Sequence, residues 1–172
     1  MKIPFAGLGE GKHEFFFTEQ PSVLELEAEF SEVAVRVDAE KTPSEVFFRA
    51  VVTADRRCIC DRCLMEFIKP VSASYVVHYV TDDANAAAFD PAETQVVSPS
   101  LPAITIDEDV RQTLQVAVPL KLLCEEQCKG LCPRCGKNLN EGPCSCEPDD
   151  PDSRWEALEQ LKRHIADPDN EK

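Results

Sequence analysis

Apolar and polar residues alternate along much of the chain up to about Thr81, the period expected of strands with one face buried. Leu24 to Phe30 alternates apolar with acidic residues, Val33 to Val37 repeats the pattern, and Val46 to Val52 is rich in β-branched and aromatic residues. Phe15-Phe16-Phe17 follows Gly7, Gly9 and Gly11, which suit an irregular lead-in. Lys41-Thr42-Pro43-Ser44 reads as a hairpin connection. Phe67 to Val80 reads as one long strand, or two bent at Pro70. No connection between these segments is long enough for a helical crossover, so the pattern predicts antiparallel pairing.

The period is lost from Thr81 to Ala103, a stretch with acidic residues and no Lys or Arg, which reads as a flexible, solvated connection. Asp107 then predicts a helix N-cap, with Glu108 and Asp109 in the first turn, where negative charge suits the dipole. Val110, Leu114, Ala117 and Val118 fall at helical spacing and Pro119 ends the run. Beyond the cysteine-rich stretch, Asp152 or Ser153 can cap a last amphipathic helix with Trp155, Leu158, Leu161 and Ile165 on one face. The expected fold class is α+β: an antiparallel β domain with a packed helix, then a Cys-rich zinc-binding hook and a C-terminal amphipathic helix. The expected division is a β-rich body with a capped helix over 1–119, holding the flexible segment 81–103, and a hook with its helix over 120–172.

Composition narrows the function. The chain has 172 residues, 43% hydrophobic and 29% charged, which fits a globular protein. Eighteen Lys plus Arg against 32 Asp plus Glu leave a net charge of −14, which weighs against wrapping nucleic acid unaided. No apolar run reaches the length of a membrane span, and the first residues lack the apolar core of a secretory signal. Nine cysteines without an export signal fit a reducing cytoplasm, where thiols bind metal or stay free. A disulfide framework is the competing reading.

The cysteines fall in pairs: Cys60-x-x-Cys63, Cys124-x-x-x-Cys128, Cys132-x-x-Cys135 and Cys144-x-Cys146. Two thiolates so close can reach one ion from a single turn, and two such turns complete a tetrahedral shell suited to Zn²⁺. Cys132-Pro133-Arg134-Cys135-Gly136 has the form of a zinc knuckle, with Gly136 free to take a left-handed conformation. Pairing it with Cys144 and Cys146 leaves Cys60, Cys63, Cys124 and Cys128 for a second ion and Cys58 spare. A competing arrangement uses Cys124, Cys128, Cys132 and Cys135 for one ion and leaves Cys60 and Cys63 metal-free; spacing does not choose between them.

A closed four-cysteine shell has no open position for a water nucleophile, which argues against zinc hydrolysis. Redox chemistry at Cys60-x-x-Cys63 would favour a helix N-terminus beside a βαβ unit, and here the pair lies between strands. His13, His78 and His164 are scattered and form no triad with Ser or Cys. No glycine-rich phosphate loop occurs. No catalytic residue is nominated.

Cys60-Asp61-Arg62-Cys63-Leu64 resembles the C-x-R-C-L element of the YceD family, the large ribosomal RNA subunit accumulation proteins. The resemblance continues through Leu123-Cys124, Cys128-Lys129-Gly130-Leu131-Cys132-Pro133-x-Cys135-Gly136, Asn138-Leu139-Asn140 and Cys144-x-Cys146. Asp152-Ser153-Arg154-Trp155, followed by Leu158 and Leu161, is similar to the family's D-P-R ending, with Ser153 where Pro is usual. The resemblance implies a non-catalytic role in synthesis, processing or stability of 23S rRNA, so that large subunits accumulate. It implies partners in the pre-ribosomal large subunit, a basic ribosomal protein and/or 23S rRNA, with no membrane and no small-molecule substrate.

Charge constrains how. An acidic chain is repelled by RNA at a distance, with screening over about 8 Å at physiological salt. Lys121, Lys129, Arg134 and Lys137 cluster on the hook, and Arg56, Arg57 and Arg62 surround the first pair. These cations either touch RNA locally, while the acidic body binds a basic ribosomal protein, or offset the charge of the thiolates. Other classes consistent with the residues are a zinc-dependent enzyme or thiol oxidoreductase, and a small zinc adaptor binding only protein partners.

Overall fold

The computed structural model describes residues 1–82, 86–87, 89–147 and 158. The chain divides into two compact units, Met1–Gly130 and Leu131–Lys172. The first contains β1 (Lys2–Pro4), β2 (Gly11–Glu19), β3 (Val33–Lys41), β4 (Glu45–Ile59), β5 (Glu66–Val80), β6 (Thr94–Val96), β7 (Ala103–Thr105) and α1 (Asp107–Ala117). A five-stranded sheet runs β2-β3-β4-β5-β6, and β1 pairs with β7 in a separate ribbon.

Alternation translates directly into sidedness. Val33, Val35, Val37 and Ala39 of β3 are buried, as are Val46, Phe48, Ala50, Val52 and Ala54 of β4. Register places them together: Val37 opposes Ala50 and Val35 opposes Val52, while Phe48 opposes Val77 and Val46 opposes Tyr79 on β5. Val110 and Leu114 of α1, Ile104 and Ile106, and Ile3 and Phe5 near β1 join the same core. The β3–β4 connection is the predicted turn, with the Thr42 N–H donating to the Glu45 carbonyl at 2.9 Å.

Four expectations need correction. Leu24 to Phe30 is not a strand but a succession of turns in which the Leu26 N–H donates to the Pro21 carbonyl and Glu25 takes a φ of 53°. Its alternation still buries Leu24, Leu26 and Phe30, because close turns can also present every second residue to a core. The helix is not capped by a side chain: Ile106 holds the N-cap position without a cap bond, and Asp107 is the first helical residue. Pairing of β1 with β7 brings the Met1 ammonium to the Asp107 carboxylate, which occupies the side chain in an ion pair instead. The sheet is mixed, because β6 lies parallel to β5. That strand sits inside the stretch read as irregular; three residues are too few for a period to register.

Pro70 does not divide β5, which runs unbroken from Glu66 to Val80. The second unit, within its described residues, is a tight hook closed by an antiparallel bridge between Leu131 and Asn138. The expected C-terminal helix over Trp155, Leu161 and Ile165, with its cap and the Asp152–Trp155 ending, lies outside the described residues apart from Leu158. Among the described residues no helix is long and apolar enough to cross a membrane.

Leu114 has no exposed surface, whereas Val116, half a turn on, is 86% exposed. Leu114→Ala is expected to cost about 2–5 kcal/mol through lost transfer energy and a cavity. Val116→Ala is expected to change stability by less than about 0.5 kcal/mol. Urea titrations of the two variants followed by circular dichroism measure both.

Candidate metal centres

Eight of the nine cysteines gather into two quartets. Cys60, Cys63, Cys124 and Cys128 form one, Cys132, Cys135, Cys144 and Cys146 the other, with the sulfurs of each quartet within 4.8 Å of one another. The first brings together pairs far apart in the chain and the second joins neighbours. Cys58 lies outside both; its buried thiol donates to the Arg56 carbonyl at 3.6 Å.

Each quartet is built on the same turn. In the first, the Leu64 N–H donates to the Cys60 carbonyl at 3.0 Å and the Cys60 N–H to the Met65 carbonyl at 2.9 Å. In the second, the Gly136 N–H donates to the Cys132 carbonyl at 2.9 Å and the Cys132 N–H to the Lys137 carbonyl at 2.8 Å. The residue after the second cysteine takes a left-handed conformation in both, φ 59° at Leu64 and 72° at Gly136. Cys60-Asp61-Arg62-Cys63 is therefore a knuckle of the same form as Cys132-Pro133-Arg134-Cys135. Sequence reading singled out only the second, because leucine occupies the position where glycine would announce the turn.

The middle residues of the first knuckle hold its distant partner. The Asp61 N–H donates to the Leu122 carbonyl at 2.8 Å, and the Leu122 N–H returns a bond to the Asp61 carboxylate at 2.6 Å. Arg62 Nη1 donates to the Cys128 carbonyl at 2.7 Å. Gly130 closes the approach with φ 76°; a Cβ there would stand 3.0 Å from the Arg62 carbonyl oxygen. The roles of Asp61, Arg62 and Gly130 were not evident from spacing; the C-x-R-C-L and Cys-Lys-Gly matches were the available signal. Arg56 is also engaged, with Nη2 2.5 Å from the Glu27 carboxylate and its guanidinium 5.4 Å from the Phe30 ring centre.

The donor set fits a soft divalent ion. Cys60 and Cys128 sulfurs are 3.8 Å apart, Cys63 and Cys124 3.7 Å, and Cys132 and Cys144 3.4 Å. Tetrahedral metal–sulfur bonds of about 2.3 Å space sulfurs about 3.8 Å apart, whereas disulfide sulfurs sit at about 2.0 Å. All nine cysteines are free thiols. Either quartet could hold a metal ion.

Electrostatics agrees with that reading. Burial works to raise the Cys60 thiol, but bonds from the backbone of Cys124, Cys63 and Arg62 bring it down to about 6. Cys124 is pushed up to about 12 by burial and by Cys128, Cys63 and Cys60. In the second quartet, bonds from the Cys135 and Arg134 backbone and from Cys144 bring Cys132 down to about 6. Cys146 is pushed up to about 12, first by Cys135 and then by burial and Cys132. Each quartet thus accommodates a thiolate readily and resists a further one unless a cation shares the charge.

The sequence matches the family model for "Large ribosomal RNA subunit accumulation protein YceD" over residues 48–162, more than half of the chain. The chain belongs to the YceD family. A relative from Arabidopsis thaliana, "Large ribosomal RNA subunit accumulation protein YCED homolog 1, chloroplastic", is 28% identical over 67 residues. That alignment covers 39% of this chain and 21% of the relative, so the chain spans about one fifth of that protein's length. No solved structure matches the chain. The family match takes in both knuckles and the Cys124–Cys128 and Cys144–Cys146 pairs.

Two substitutions test the knuckle geometry. Leu64 is 64% exposed and pays left-handed strain for little packing, so Leu64→Gly is expected to stabilise by up to about 1 kcal/mol. Arg62→Ala removes a charge-assisted bond and is expected to destabilise by about 1.5 kcal/mol. It should also speed reaction of Cys124 and Cys128 with a thiol reagent, read against thermal melts of both variants.

Proposed function

We propose that the chain is a non-catalytic ribosome biogenesis factor supporting synthesis, processing or stability of 23S rRNA, built around two structural Zn²⁺ sites. Cys60, Cys63, Cys124 and Cys128 hold one ion, and Cys132, Cys135, Cys144 and Cys146 the other. The observation that carries the structural role is the donor set. Each quartet is four sulfurs, and among the described residues no His or carboxylate joins either group. Four thiolates saturate a tetrahedral ion and leave no position for water or substrate. The role in large-subunit accumulation rests on family membership and on the name of the plant relative.

The partner follows from charge. At −14 the chain meets a basic ribosomal protein favourably and a phosphate backbone unfavourably. The acidic body binds such a protein in the pre-ribosomal large subunit, and contact with rRNA is local, through cations near the sulfur clusters. A thiol oxidoreductase fits less well: Cys63 and Cys60 are each packed against the partner pair, so the sulfur that would attack a substrate is buried. The factor works in the reducing cytoplasm, where sulfur ligands stay reduced.

Native mass spectrometry with elemental analysis tests the sites. Two zinc ions are expected per chain, falling to one in Cys60→Ser and, independently, to one in Cys135→Ser; an unchanged count in Cys60→Ser would remove the first site. Depleting the protein from cells is expected to lower the ratio of 23S to 16S rRNA and of free large to small subunits on sucrose gradients. Titration against 23S fragments and against individually purified large-subunit proteins separates the partners. Strong, salt-sensitive RNA binding by the isolated chain would overturn the protein-partner reading.

A further inference from the structure

The two long strands β4 and β5 pair along their whole length, but β5 has a second edge. On that side β6 pairs only with His78 to Val80. The direction of the backbone groups between Glu66 and Val77 follows from bonds on either side. The Asp55 carbonyl accepts from Ser31 and the Asp55 N–H donates to the Ser31 hydroxyl, so both groups of Asp55 face away from β5. Asp55 opposes Pro70, so Pro70 likewise faces away from β4. The same parity reappears at His78, whose N–H donates to the Glu93 carbonyl on the β6 side at 2.7 Å. Ser72, Ser74 and Val76 therefore present their N–H and C=O groups to the open edge, and among the described residues nothing is bonded to them.

Beside this edge lies a groove lined by Ala73 and Ser74 of β5 and Gln112, Thr113, Val116 and Ala117 of α1. The strand side is made of small side chains, which let another backbone approach closely. The helix side carries Val116, 86% exposed. α1 begins Asp107-Glu108-Asp109, of which Asp107 pairs with the Met1 ammonium and Glu108 with Arg111, leaving Asp109 as the uncompensated carboxylate, and the last turn has no basic residue. Asp109 also bears on the Tyr75 hydroxyl, whose pKa is raised by burial first and then by that carboxylate, which puts the negative helix start beside the same strand.

We propose that the open edge of β5 from Pro70 to Val76, with the groove along α1, takes an extended basic segment of a large-subunit ribosomal protein by strand addition. This rests on the protein-partner reading above. Main-chain bonds to Ser72, Ser74 and Val76 supply affinity, an apolar side chain of the segment packs on Val116, and its cations meet Asp109 and the net negative charge of the chain. Proline at Pro70, whose missing N–H would face the open edge, marks where the added strand ends.

The test uses the full chain and individually purified large-subunit ribosomal proteins, each titrated by fluorescence anisotropy, followed by amide hydrogen exchange of the bound pair. At least one protein is expected to bind and to protect the Ser72, Ser74 and Val76 amides. Ser74→Pro removes one of those donors without touching the β4 ladder and is expected to weaken binding at least tenfold. Val116→Lys, on a solvent-facing helix position, is expected to weaken it about as much and guards against misfolding of the proline variant. Binding undiminished in both variants, or protection confined to the β2 edge, overturns the inference and leaves the protein-partner reading standing. Binding of 23S fragments with no bound protein overturns that reading, and the inference with it.

Discussion

The sulfur cluster between the tip of the β4–β5 hairpin and the Cys124–Cys128 turn is the constraint that ties the hairpin tip to the segment after α1. β3 covers β4 only as far as Thr53, and beyond that the hairpin's flank is met by a short segment through the Arg57–Glu29 and Ser31–Asp55 bonds. The tip would otherwise be a two-stranded ribbon, which is marginal alone in water. Positions 63 and 124 are separated by 61 residues, so closing them costs on the order of 3.6 kcal/mol of chain entropy, against about 2.2 for the twelve separating Cys132 and Cys144. A metal held in the first quartet would therefore perform the larger organisational task, and its binding energy would be folding energy for the segment that follows α1.

The two quartets use one local solution in different ways. Where the ligand pairs are close in sequence, a glycine after the second cysteine and a short loop suffice. Where they are distant, the knuckle's middle residues carry extra duties: Asp61 receives the chain leaving α1 and Arg62 grips the Cys128 carbonyl. The arginine is thus committed inward, as is Arg56 on Glu27 and Phe30. Cations that look like an RNA-binding patch in the sequence are in part fasteners, which weakens the case for direct RNA recognition through them.

Much of this was legible in the residues. Strands β3 to β5 were readable because one face is buried along each, and a period of two is the direct imprint of that burial. The Leu24–Phe30 turns carry the same imprint without being a strand, since periodicity reports sidedness rather than backbone conformation. The missing cap at Asp107 follows from a tertiary pairing, β1 with β7, that local sequence does not encode. For the site, cysteine spacing left two groupings open; the present quartets arise because the hairpin delivers Cys60 and Cys63 to the turn at Cys124. Leu64, Gly130, Asp61 and Arg62 were opaque for a different reason: their roles exist only once distant segments meet.

The proposed partner is consistent with both the charge of the chain and the edge of its sheet. One sheet face is packed under α1 and the β1–β7 ribbon, while the other carries the charged row Glu14, Asp38 and Arg49 together with the exposed side chains of Phe16 and Ile68. Among the described residues, the outward backbone groups of β5 between Pro70 and Val76 are bonded to nothing. Main-chain pairing does not demand a particular side-chain sequence from the partner, only an extended conformation and a tolerable charge. On an acidic molecule, the proposed strand addition would favour basic segments that are not yet folded.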